Sequence, residues 1–199
     1  MKHFICLVVI SSLFICSACA QAQDLSRYDL STDEGVTAAR EAVSGKKLDE
    51  YSKGCVKRNQ DLPKIVVVGS FANDYGCSFQ GVFLGSSYFE EGGAGLSKSA
   101  LDFLGWKTAQ QTEREKLALL WVEKGLLAFL TVLAQRDEHF RGRMFQSPKT
   151  ITKENGEIIV TLWIREPPGM SPEKVYRLLE YRFTKDGELA GKATLDNFV

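Results

Sequence analysis

Histidine is nearly missing from this chain of 199 residues, which contains two, His3 and His139. That scarcity excludes HExxH sites and zinc fingers of the two-cysteine, two-histidine kind, because both need a pair of histidines at fixed spacing around one metal. Beyond residue 20 the cysteines are Cys55 and Cys77, which form no CxxC pair, so a dithiol redox centre or a cysteine-built metal site has no motif. GxSxG and GxGxxG are absent as well. Neither charge sign is in excess, with 25 Lys and Arg against 25 Asp and Glu. Nucleic acid is therefore not an expected partner, since it needs a basic surplus to displace counterions. No metal and no cofactor are expected.

Two partial matches to reactive motifs fail on chemistry. Ser44 with Lys47 and Ser171 with Lys174 match SxxK, the acylating signature of penicillin-recognising enzymes, but the companion SDN and KTG triplets are missing. The glycine-rich stretch Glu90 to Gly95 lacks the Gly-Lys-Ser/Thr ending of a phosphate cradle, and Glu90 and Glu91 would repel the anion. This stretch reads as a loop with little rigidity of its own.

What is present begins at the N-terminus. Lys2 and His3 precede the apolar run Phe4 to Ile15, and small or polar residues follow from Ser17 to Ala22. This is the pattern of an export signal, and the run is too short for a spanning helix, which needs roughly 20 apolar residues. Two processing routes fit. Ala18-Cys19-Ala20 and Ala20-Gln21-Ala22 are both A-x-A cleavage sites, whereas Ser17 and Ala18 before Cys19 resemble a lipobox, with Cys16 at the usual leucine position. The expectation is a signal over residues 1–20 and a single domain over 21–199. That domain is periplasmic or secreted, with no membrane span and with Cys19 as an alternative lipid anchor.

An even pair of cysteines in an exported chain predicts the disulfide Cys55–Cys77. The remaining elements follow from periodicity. After a polar linker from Gln23 to Leu30, a capping box of Ser31 and Glu34 starts a helix that stops at Gly45, and Leu48 to Ser52 adds a turn of helix. Lys64 to Phe71 and Cys77 to Leu84 form a hairpin around Asn73, Asp74, Tyr75 and Gly76. Ser97 caps a short helix to Leu104, and Thr112 with Glu115 caps a long helix reaching Leu133. Gly125 within it predicts a close contact with a strand or a second helix.

From Thr150 onward four strands form an antiparallel meander: Thr150 to Thr152, Glu157 to Arg165, Val175 to Phe183 and Glu188 to Leu195. A helix start at Ser171, Pro172 and Glu173 competes with the third of these strands. The fold expected is therefore α+β: an N-terminal helix, a hairpin, and a long central helix packed on the meander.

The densest polar cluster, Arg136 to Arg143, contains His139 beside Asp137 and Glu138. It reads as a solvated helix terminus, with His139 as the one candidate general base. Tyr75, Tyr88 and Met170 are the candidate contacts for a protein partner, Met170 because the prolines of the loop Glu166 to Ser171 hold it in place. The leading expectation is a non-enzymatic protein that binds another protein of the cell envelope, of the inhibitor or immunity kind. The alternatives are a small envelope hydrolase with dispersed catalytic residues, and a binder of small apolar ligands held between the long helix and the meander.

Overall fold

A continuous apolar run explains the first sheet. The computed structural model describes residues 25–71, 76–133, 139–140, 143–166 and 175–198. In it, β2 (Ile65–Phe71) and β3 (Cys77–Leu84) pair antiparallel, flanked by β1 (Val56–Arg58) and β4 (Ser87–Glu90) in the order β1-β2-β3-β4. Ile65, Val67, Val82 and Leu84 face the main core, while Val66, Val68 and Phe83 face the opposite side. Because both faces are covered, the segment reads as an unbroken apolar run rather than as alternation. The two short edge strands were not foreseen, as three or four residues carry too little periodicity to register.

The side away from the main core is covered by α1 (Asp33–Ser44), through Val36 and Ala39. Its N-cap is Thr32, whose hydroxyl accepts from the Gly35 amide, and not the expected Ser31, which donates instead to Asp29. Gly45 closes the helix in the left-handed conformation. The expected polar linker is also corrected. Leu25 is buried beneath α1's cluster, with Tyr28 and Leu30 packed beside it.

On the other side of the sheet lie α3 (Leu96–Phe103) and α4 (Gln111–Leu120), and beyond them a second sheet. Here β9 (Ile158–Arg165), β10 (Tyr176–Phe183) and β11 (Leu189–Phe198) form the expected meander, and β8 (Lys149–Thr152) joins at the opening half of β9. Ile158, Val160, Leu162 and Ile164 point inward together with Leu179, Tyr181 and Phe183, which gives the layers α1, sheet, helices, sheet. The outer face of the second sheet carries a small cluster of Leu133, Phe145, Trp163 and Tyr176. The chain is a mixed α+β domain, as its periodicity implied.

The long helix is shorter than its apolar run. It continues from α4 into a π-helical turn, Trp121–Leu126, where the Leu127 amide donates to the Val122 carbonyl five residues back at 2.9 Å. It then stops, and Thr131–Val132 forms β5 against Arg165 and Ile164 of β9. A continuous apolar run satisfies a buried helix and a buried strand equally, so only pairing with β9 decides the change. The cap residues differ as well. Gly95 and Gln110 precede α3 and α4, Ser97 instead accepts from Trp121 Nε1 at 3.1 Å, and Glu115 accepts from Thr152 of β8.

Gly125 does mark a close approach, but within its own helix rather than to a neighbour. A Cβ there would lie 2.2 Å from the Trp121 ring. Intrinsic propensity alone would favour Gly125→Ala by about 1 kcal/mol. The clash should reverse that sign and destabilise by about 1–3 kcal/mol, because the indole has no free volume to enter. Urea unfolding of the variant checks this: a higher midpoint than wild type would mean that the indole is free to move.

The loop after β4 is also firmer than its glycines suggest. The Gly93 amide donates to Glu90, Leu96 to Gly93 and Glu91 to Gln80, while Gly92 and Gly95 take positive φ. Successive tight turns thus carry the chain from β4 directly into α3.

Candidate functional site

The hydroxyl and backbone groups of Ser52 hold one end of the first sheet together. Asp49 caps the short helix α2 (Glu50–Lys53): its carboxylate accepts from the Ser52 amide at 2.8 Å and from the Ser52 hydroxyl at 2.7 Å. These bonds hold the Asp49 carboxyl below its ordinary pKa. The Ser52 hydroxyl in turn accepts from the Phe71 amide at 3.2 Å, which ties α2 to the last residue of β2.

Beneath them lies Arg40 of α1, only 4% exposed. Its guanidinium donates to the Ser52 carbonyl at 2.7 Å, to the Gly69 carbonyl, and to Gln80 Oε1 at 3.1 Å. Burial lowers the Arg40 pKa, and electrostatic interaction with Tyr88 and Asp49 partly opposes this. The side chain acts as a strut that joins α1, α2, β2 and β3, since a buried guanidinium must spend its donors on fixed acceptors.

The disulfide closes the same end. Cys55 and Cys77 are bonded, with Cα atoms 5.5 Å apart, and Cys77 pairs with Phe71 in the ladder. The Gly69 amide donates to the Cys55 carbonyl at 2.9 Å, adding a backbone bond beside the sulfurs. Two independent constraints, one covalent and one polar, therefore fix the position of α2 on the sheet.

This frame presents two aromatic rings to solvent. Tyr51 is 70% exposed and stacks on Phe71, itself 37% exposed, with ring centroids 4.9 Å apart and an interplanar angle of 23°. Large apolar side chains held out of the core in one orientation lose little entropy on docking, which is what an interface hot spot requires. The sequence singled out neither residue. The signal available was an aromatic shortly before each cysteine, Tyr51 before Cys55 and Phe71 before Cys77, but only the fold shows that the two meet.

Tyr75 lies outside the described residues, as do Met170, Cys19 and the Ser171-Pro172-Glu173 helix start. Tyr88, on β4, is half-buried and packs against Phe83 with centroids 5.1 Å apart. Burial raises its phenol pKa, with Glu90 adding to the effect. Tyr88 thus belongs to the cluster under α1 rather than to the aromatic end. His139 sits on the backbone of a two-residue strand, β6 (His139–Phe140), opposite Met144 of β7 (Arg143–Met144). This replaces the helix terminus expected there, because the helix has already ended at Leu126.

Among the described residues no group of three or more His, Cys, Asp or Glu side chains could hold a metal ion, and no helix is long and apolar enough to cross a membrane. No protein-family model, curated protein or solved structure matches the chain.

Proposed function

We propose that this is an exported protein of the cell envelope that works by binding another protein, in the manner of an inhibitor or immunity protein, through the end that carries Tyr51 and Phe71. The observation that supports it most is the exposed stacked pair, held by the disulfide and by the Ser52 and Arg40 network. Export is read from the basic, apolar and small-residue pattern of the first 22 residues, and the disulfide fits an oxidising compartment. Processing then leaves Gln21, Gln23 or an acylated Cys19 as the first residue.

The double variant Tyr51→Ala, Phe71→Ala tests the binding reading. The partner is first identified by affinity capture from envelope extract and then purified for titration against both proteins. The variant should bind at least tenfold more weakly, because hot-spot aromatics typically cost 2 kcal/mol or more when truncated. Its melting temperature should stay close to wild type, since both rings are largely outside the core. His139→Ala provides the contrast: it should leave the titration unchanged, whereas loss of a general base would lower a catalytic rate by roughly 100- to 10,000-fold. Equal binding by the double variant, or a large functional defect in folded His139→Ala protein, would remove this reading.

A further inference from the structure

Between the two sheets, where the glycine-rich loop passes β10 and β11, lies a cleft of about 560 Å³. Its floor is Leu96 and Ser97 of α3 and Tyr181 of β10, and its walls include Phe79 and Leu126. The lining is mostly apolar and the volume falls in the range of ordinary small-molecule sites, roughly 300–1,000 Å³. Size alone assigns nothing. What distinguishes this cleft is Tyr181, which is 2% exposed and whose hydroxyl donates to no group among the described residues. The hydroxyl is not among the fully buried atoms left without a partner, so it stays open to the cleft, where a bound acceptor can take the place of water.

Charges around the cleft narrow the occupant. Glu91 and Glu188 line it together with Lys192, whose ammonium lies 5.4 Å from the Tyr181 ring centroid. The Lys192 charge is thus already engaged by an aromatic face, and the two carboxylates leave the lining with a net negative charge. Burial, with Glu91 beside it, raises the Tyr181 pKa, so the phenol keeps its proton and acts as a donor. An anionic head group would meet repulsion from the carboxylates. A neutral acceptor such as a hydroxyl, carbonyl or ether oxygen would meet one available donor.

We propose that this cleft binds a small neutral amphiphile, with its apolar body against Phe79, Leu96 and Leu126 and an acceptor oxygen taking the Tyr181 hydroxyl proton. The site is separate from the Tyr51–Phe71 end, so it stands or falls independently of the protein-binding reading.

The test uses the folded, disulfide-bonded protein and the neutral dye N-phenyl-1-naphthylamine, displaced by decan-1-ol or by decanoate. Wild type should bind the dye saturably at one equivalent, and decan-1-ol should displace it at least tenfold better than decanoate. Tyr181→Phe should weaken decan-1-ol by about two- to tenfold, the worth of one neutral hydrogen bond, while dye affinity holds. Its melting temperature should equal or exceed wild type, because no protein partner is lost. Leu126→Trp, which fills the cleft, should abolish binding of both compounds, with its fold checked by circular dichroism. The proposal is overturned by the absence of saturable dye binding, by decanoate competing as well as the alcohol, or by unchanged decan-1-ol affinity in Tyr181→Phe.

Discussion

Trp121→Ala is expected to destabilise the protein by about 3–5 kcal/mol, the range found when a large buried aromatic is truncated. Trp121 is fully buried at the start of the π-helical turn, in the main core between the two sheets. Its ring covers Gly125 on one side, and its Nε1 donates to Ser97 Oγ of α3 at 3.1 Å. Truncation therefore removes packing from three elements at once and leaves the buried Ser97 hydroxyl without this donor. The surroundings cannot collapse into the space, because Gly125 offers no side chain to fill it. For a domain of this size, 1 kcal/mol corresponds to about 2–4 °C, so the melting temperature should fall by about 6–20 °C. Trp121→Phe, which keeps most of the ring but loses the hydrogen bond, should fall in between. Thermal unfolding followed by far-UV circular dichroism measures both. A loss below 1 kcal/mol in the alanine variant would mean that the two sheets do not depend on this residue.

Removal of the disulfide, by reduction or by Cys55→Ala with Cys77→Ala, should cost about 3 kcal/mol. The bond closes a loop with a sequence separation of 22, and cross-linking such a loop restricts the unfolded chain. Alanine is the suitable replacement because Cys55 is fully buried, where a serine hydroxyl would add an unsatisfied group of its own. The effect should appear as a drop of about 6–12 °C in melting temperature. Arg40 and Ser52 still join α2 to the sheet without the bond, so the reduced protein should fold. Urea unfolding with and without reductant provides the measurement. Coincident midpoints would show that the unfolded chain is already restrained by other means.

Much of this architecture is legible in the residue order. Both faces of β2 are buried, and Ile65 to Val68 announce this as a β-branched run. The strict alternation of Ile158, Val160, Leu162 and Ile164 marks β9 with its inward face correctly assigned. The turns at Asn155-Gly156 and Asp186-Gly187 connect the meander as expected, each glycine having positive φ. Cys55 and Cys77, the pair beyond residue 20, allow a single connectivity, and that pairing is observed. In each case the deciding interaction is local or nearly so: a period, a turn conformation, or a count of two.

The misplacements have the opposite character. Where Ser31 and Thr32 are both competent caps, or Thr112 is a better cap than Gln110, the chosen start depends on what else each side chain can bond. Ser31 is occupied by Asp29, and Glu115 by Thr152 across the core. The apolar stretch from Leu117 to Leu133 divides at Leu126 because β9 has a free edge beside Arg165 and Ile164, a fact of sheet assembly that no window of sequence contains.

The sequence by itself determined the class of most of the longer elements, the disulfide and the faces that turn inward, since these follow from side-chain periodicity and from the chemistry of near neighbours. Tertiary structure alone decided where the long helix ends, that Tyr51 meets Phe71 over the Ser52 and Arg40 network, and that Tyr181 lines a cleft between the sheets. Each of these joins residues distant in the chain, and their encounter is set by the packing of whole elements rather than by any local preference.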